Sequence, residues 1–258
     1  MKIFESHCHI NDKSFDKDLD KVIERAQLNG VSHMMIAGVT LETCKKALEI
    51  AKANKNIFIA VGIHPHDSSE CTNETINELK QMAQSEKVKA WGETGLDFNR
   101  MYSPQKDQEK WLLRHIEEAS NLDLPLIFHE RDTNKRFLEI ISTQKIKSGV
   151  VHCFSGDRDE LFSYLDMGLY IGITGVLTIQ KRGEKLRELL KEIPIERILV
   201  ETDSPYLTPA PHKNKTNRNE PSFLPVILEK IAEIKNLDIN KVSETIFDNT
   251  CSLFKTGK

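Results

Sequence analysis

Eight short apolar runs, each followed by an amphipathic stretch, constrain this chain more than any other feature. They fall at 2–5, 32–37, 57–62, 88–92, 124–128, 149–152, 169–173 and 197–201. Each is rich in Ile, Val, Leu or Phe and is bounded by Gly, Pro or polar residues, which is the pattern of strands. Without strict alternation, such runs suit strands buried on both faces, as in parallel sheets. Between them the period becomes helical. Leu19, Val22, Ile23 and Ala26 occupy i, i+3, i+4 and i+7, and Gly30 supplies the stop. Ser103-Pro104 reads as an N-cap followed by proline at the first helical position, with Trp111, Leu112, Ile116 and Ala119 on one face. Leu224, Ile227, Leu228 and Ile231 repeat the pattern after Pro221, and a last helix over 241–254 is expected across the outside. Eight strand–helix units predict an α/β fold, a single (β/α)8 TIM barrel occupying 1–258 as one domain. An open doubly wound sheet would need a glycine-rich phosphate loop after the first strand, where this chain has SHCHIND.

Composition narrows the function. The 258 residues suffice for a sizeable core, and the net charge of -3 supplies no global field for nucleic acid or anionic membrane. Any attraction for an anionic substrate must therefore be local. No apolar run approaches the roughly 18 residues of a membrane span, and no apolar leader opens the chain. The five cysteines (Cys8, Cys44, Cys71, Cys153, Cys251) are scattered without a C-x-x-C, so reduced thiols and a cytoplasmic location are expected. No obligate protein partner is implied.

Metal-competent residues sit at the C-terminal ends of the apolar runs. His7 and His9 close the first; residues i and i+2 of a strand share a face, so both imidazoles can aim at one point while Cys8 faces away. The third runs into His64 and His66, the fourth into Glu93, the fifth into His129, the sixth into His152, and the eighth into Asp203. Any one of these has an ordinary reading, as a core histidine or a turn cap. Together they place six of the nine histidines on one rim, where a barrel keeps its active site. His7, His9, Glu93, His129, His152 and Asp203 are too many ligands for one open zinc site. They suit two divalent ions about 3.5 to 4 Å apart bridged by a carboxylate. A mixed imidazole and carboxylate set admits Mg²⁺, Mn²⁺, Zn²⁺, Ni²⁺ or Co²⁺. Cys8 and Cys153, each next to a ligand histidine, are expected to pack rather than ligate.

The motifs ESHCHI, GIHPH, WGETGLDF, LPLIFHERD, VVHCFSG, ETDSPYLTP and RNEPSFLP, spread in order over residues 5 to 225, resemble those of the TatD-type metal-dependent deoxyribonucleases. The resemblance implies a binuclear metal site and hydrolysis of DNA phosphodiesters, often from a 3′ end. It makes the six residues above the ligands, with Glu93 bridging. His64 would hold the scissile phosphate, and Asp203 would take a proton from the attacking water. Three departures stand out: Glu5 where the family usually has Asp, Glu130 where Ser is common, and a longer stretch in PHKNKTNRNEP. Glu130 would repel phosphate if it faced the mouth. In the longer stretch Lys213, Lys215 and Arg218 are candidates to line a substrate groove.

The resulting expectation is an exonuclease preferring single-stranded ends. Its catalytic residues would be Asp203, Glu93 and His64, with His64, His66, Arg131 and Arg218 on the substrate and Tyr206, Phe98 and Tyr102 available to stack bases. One rival is an amidohydrolase acting on a cyclic amide or lactone. Such enzymes often bridge their metals with a lysine on the fourth strand; here Glu93 holds that place and Lys89 lies back inside the strand. The other rival, a non-catalytic nucleic-acid-binding subunit, calls for a degraded ligand set and a basic surface, and the chain has neither.

Overall fold

The computed structural model describes every residue except 211, 215, 217 and 258 and the side chain of 214. Strands and helices alternate: β1 (Ile3–Cys8), α1 (Leu19–Leu28), β2 (Val31–Ala37), α2 (Leu41–Ala53), β3 (Ile57–Val61), α3 (Asn73–Met82), β4 (Val88–Asp97), α4 (Gln105–Leu122), β5 (Leu126–Arg131), α5 (Arg136–Ser142), β6 (Gly149–Val151), α6 (Arg158–Asp166), β7 (Tyr170–Ile173), α7 (Glu184–Leu190) and β8 (Ile198–Val200), followed by α8 (Leu224–Lys235) and α9 (Ile239–Phe254). The strands form one eight-stranded sheet whose spatial order is the sequence order. Beyond β8 the chain returns to β1: the Asp203 N–H donates to the His7 carbonyl at 3.0 Å, and the His9 N–H to the Ser204 carbonyl at 2.7 Å. The fold is the (β/α)8 barrel expected from the eight runs.

The chain divides into two compact units, Met1–Ile36 with Ile171–Ser252 and Thr256–Lys258, and Ala37–Tyr170 with Leu253–Lys255. In the first, β1 pairs with β2 and β7 with β8, all parallel. Helix α9 lies against the start of β1, where Phe247 meets the rings of Phe4 and His33 and the Ser243 hydroxyl donates to the Lys2 carbonyl at 2.9 Å. In the second, β3 to β6 pair in succession around the buried Ile59, Trp91, Ile127 and Phe128.

Local signals set the starts of three helices. Thr40 with Thr43, Thr72 with Thr75, and Asp157 with Glu160 form capping boxes on α2, α3 and α6. The start of α4 differs from the expectation: Pro104 is the N-cap, and Ser103 is drawn into other bonds. Strands β1, β4 and β5 also run three to five residues past their apolar runs, to Cys8, Asp97 and Arg131. In β1 and β4 the polar ends are buried against partners instead of solvent, so hydrophobicity stops before the strand does. Among the described residues no helix is long and apolar enough to cross a membrane.

Candidate metal and active site

In the first unit, His7 in β1 and His9 just beyond it bring their Nε2 atoms to 3.3 Å. Asp203 Oδ1 lies 3.3 Å from His9 Nε2 and 3.9 Å from His7 Nε2. Two facing imidazole nitrogens cannot both point a proton at each other, so at least one presents a lone pair. A shared cation satisfies both lone pairs and the carboxylate together. Strand alternation turns Cys8 away, fully buried, with its thiol on the Met35 carbonyl at 3.5 Å. Asp203 sits in the left-handed region at φ 56°, which a short polar residue tolerates.

Glu5 braces this cluster. Its buried carboxylate accepts the Thr202 N–H at 2.9 Å, the Thr202 hydroxyl at 2.6 Å and the His7 N–H at 3.2 Å. Burial pushes its pKa well above the usual range, although the Thr202 bonds oppose this. The longer side chain thus spans from β1 to the turn that carries Asp203.

In the second unit three imidazoles face one oxygen. Glu93 Oε1 is 2.9 Å from His129 Nδ1, 3.2 Å from His152 Nε2 and 3.5 Å from His64 Nε2. Glu93 is aimed by an irregularity in β4, where the register with β5 shifts between Gly92 and Thr94. Gly95, at φ 155°, lies opposite His129, and a Cβ there would fall on the His129 carbonyl. Only glycine lets the two strands approach this closely.

The reading of the sequence missed Asp97. It ends β4 two residues past Gly95, fully buried, with Oδ2 3.2 Å from His129 Nε2 and 2.8 Å from His66 Nε2. A strand read through to residue 97 would have put it on the face of Glu93. Burial pushes this carboxyl up, but the bonds with His129 and His66 outweigh it and hold the pKa far below the carboxylate range. Burial likewise pushes His129 down, yet Asp97 and Glu93 carry it above its ordinary value. A pocket that favours a proton against burial also favours a metal cation. Asp97 on Nε2 leaves Nδ1 as the atom of His129 that faces Glu93, the usual division between a ligand nitrogen and its orienting carboxylate.

His64 differs from its neighbours. The His66 N–H donates to His64 Nδ1 at 3.1 Å, so the proton of the neutral ring lies on Nε2, the atom toward Glu93. Burial lowers its pKa to about 4, helped by His129 and opposed by Glu93. At neutral pH His64 therefore offers an N–H donor rather than a lone pair. Its loop is anchored by a second residue the sequence did not flag: buried His115 of α4 accepts the Ile63 N–H at 3.0 Å and bonds the Trp111 carbonyl at 2.8 Å.

The other candidates separate. Arg131 ends β5 with its side chain 41% exposed and its Nε 4.0 Å from Asp132 Oδ2. Arg218 does not stand free for substrate: its fork grips both oxygens of Asp18 at 2.8 and 2.7 Å and the Ser14 carbonyl at 2.7 Å. That pair draws the Asp18 pKa down to about 2. Lys213 is exposed, and Lys215 lies outside the described residues. Glu130, expected to repel phosphate if it faced the mouth, is buried, and its carboxylate accepts the Thr133 hydroxyl at 2.7 Å. Cys153 is half-buried, not fully packed away. Phe98 is half-buried, whereas Tyr102 and Tyr206, the exposed aromatic residues among those described, each approach a site histidine: Tyr102 by His66 and Tyr206 by His9.

A family model described as TatD related DNase matches residues 4–255. The "3'-5' ssDNA/RNA exonuclease TatD" of Escherichia fergusonii is 36% identical over 256 residues, covering 98% of both chains. The protein of that name from Erwinia tasmaniensis is 38% identical over 257 residues, covering 98% of this chain and 99% of its own. Among solved structures, a TatD homolog from Escherichia coli K12 superposes with a TM-score of 0.91 at 25% identity, covering 99% of this chain and 98% of that one. A TatD family hydrolase from Entamoeba histolytica gives 0.88 at 26% identity, covering 98% of each.

Proposed function

This chain belongs to the family of TatD-related DNases, and from that membership and the side-chain clusters we propose that it is a metal-dependent nuclease removing nucleotides from the 3′ end of single-stranded DNA or RNA. The observation that carries the reading is that each unit holds a histidine–carboxylate cluster: His7, His9 and Asp203 in the first, and Glu93, His129 and His152 in the second. Each cluster would hold a divalent ion. When bound, such ions make water more acidic and offset the charge that builds on the phosphate oxygens. Mg²⁺, Mn²⁺, Zn²⁺, Ni²⁺ and Co²⁺ all suit the donor set.

The chain's own groups do the rest. His64 donates its Nε2–H to a non-bridging phosphate oxygen. Arg131 offers a second, charged fork from the end of β5. Asp203 orients the attacking water and takes its proton as oxygen adds to phosphorus and the bond to the next nucleoside breaks; that proton can then pass to the departing oxygen. His66, tied to Asp97, stands beside His64 at the substrate. Arg218 is left out because Asp18 holds it.

The test is a time course on oligonucleotides labelled at either end, with each metal in turn, beside a panel of lactones and cyclic amides. We expect mononucleotides and a ladder shortening from the 3′ end. Rapid cutting of closed circular DNA would mean an endonuclease, and turnover of a lactone or amide without nucleic-acid cleavage would replace the assignment.

A further inference from the structure

The loop from Asp97 to Ser103, between β4 and α4, is tied down at both ends. Asp97 Oδ1 accepts the N–H groups of Asn99 and Arg100, each at 2.9 Å. The Phe98 N–H donates to the Arg131 carbonyl at 3.0 Å. At the far end fully buried Ser103 donates to the His66 carbonyl at 2.7 Å and accepts the Ser69 N–H at 3.0 Å. Buried Gln108 joins the two ends, accepting the Asp97 N–H and donating to the Ser103 carbonyl, both at 2.8 Å. A loop fixed by this many buried bonds holds its tip in one place.

That tip presents apolar surface outward. Met101 is at φ 51° and 45% exposed, and Tyr102 is 65% exposed. A tyrosine used for packing is buried, as Tyr164 is at 0%. Tyr102 nevertheless reaches the site: its ring centroid lies 4.9 Å from that of His66, with the planes at 75°. An edge contact of this kind leaves most of an aromatic face uncovered.

We propose that Tyr102 is a stacking platform for the base of a nucleotide flanking the scissile phosphate, and that this ring sets the preference for single strands. The proposal rests on the nuclease reading above. Stacking on an aromatic side chain tolerates any base, since every base has a π-face. It needs that face open, and in a duplex the neighbouring base pairs cover it.

Tyr102→Ala, Tyr102→Phe and Tyr102→Trp are compared on a single-stranded oligonucleotide and on versions with one abasic residue at the terminal or the penultimate position. For Tyr102→Ala we expect KM to rise roughly 5- to 100-fold, the range for one stacked base, with the loss in KM rather than kcat. Phe and Trp should restore KM. One abasic position should raise the wild-type KM by a similar factor, and there Tyr102→Ala should add nothing. Fluorescence anisotropy of the labelled oligonucleotide, in an Asp203→Asn background, reads binding without turnover and should show the same dependence. Unchanged KM and binding in Tyr102→Ala, or equal losses on natural and abasic strands, overturn the platform and leave the nuclease standing. Tyr102-dependent binding without hydrolysis by the parent protein overturns the nuclease and leaves the platform. Absence of both binding and hydrolysis overturns both.

Discussion

Two carboxylates, Asp97 fully buried and Asp203 15% exposed, are assigned opposite duties. Asp203 lies within 3.3 Å of His9 Nε2 and is assigned to metal and water, whereas Asp97 touches His129 and His66 from behind. Asp203→Asn should keep the fold and still bind at least one ion, while hydrolysis falls at least about 10²-fold, the scale of a lost positioned base. Near-normal turnover at saturating metal would remove Asp203 from the chemistry. Asp97→Asn is a subtler change. Its remaining carbonyl oxygen can still accept the Asn99 and Arg100 amides, so the loop should persist. The charge behind His129 is lost, and Mn²⁺ affinity should drop about 10- to 100-fold, as for other orienting carboxylates. Titration calorimetry with Mn²⁺ checks this, and an unchanged affinity would make Asp97 merely part of the scaffold.

At the scale of single elements, two helices are joined to strands through buried neutral histidines. His115 on α4 holds the loop after β3, and His33 on β2 lies under α9. Burial lowers His115 to about 4, against the Trp111 bond, and lowers His33 to about 4 with Lys2 adding to the effect. An unfolded chain protonates its histidines near pH 6.5. Between about pH 6.5 and 4 the unfolded state therefore binds more protons than the native one. The contribution of each neutral ring is complete above that window and is lost as pH falls through it. We expect the melting temperature of the metal-free protein to fall across this window. His115→Gln, which keeps an acceptor for the Ile63 amide but cannot titrate, should flatten the slope. Equal slopes in thermal melts of the two proteins would place the acid sensitivity elsewhere.

The whole molecule carries a net charge of -3, and the cations near the described clusters are few. Arg218 is bound to Asp18, which leaves Arg131, with Lys213 in the longer stretch, as exposed candidates for phosphate contact. Two or three neutralised phosphates, at about -0.7 each on a single strand, give a salt slope of roughly -1.5 to -2 in log K against log salt. Binding of a labelled single strand from 50 to 300 mM salt measures it. A slope beyond about -4 would require a basic track along the substrate that these residues do not supply.

The sequence by itself determined the alternation of strand and helix and the placing of histidines and carboxylates at strand ends. Both depend on neighbours along the chain: burial periodicity, caps such as Thr40 and Thr72, and the i, i+2 alternation that aims His7 and His9 together while turning Cys8 away. Other features were decided only by residues that folding brings from afar. Asp97 became a partner of His66 and His129, 31 and 32 residues distant, because β4 goes on pairing with β5 beyond its apolar run, past the register shift between Gly92 and Thr94. Ser103 gave up an N-cap for a bond to the His66 carbonyl. Arg218 met Asp18 from 200 residues away. Polar side chains declare their positions weakly in sequence, since an ionisable residue is equally at home in water or against a buried partner. Which of the two it finds is fixed by the tertiary structure, through the desolvation it suffers and the hydrogen bonds that offset it.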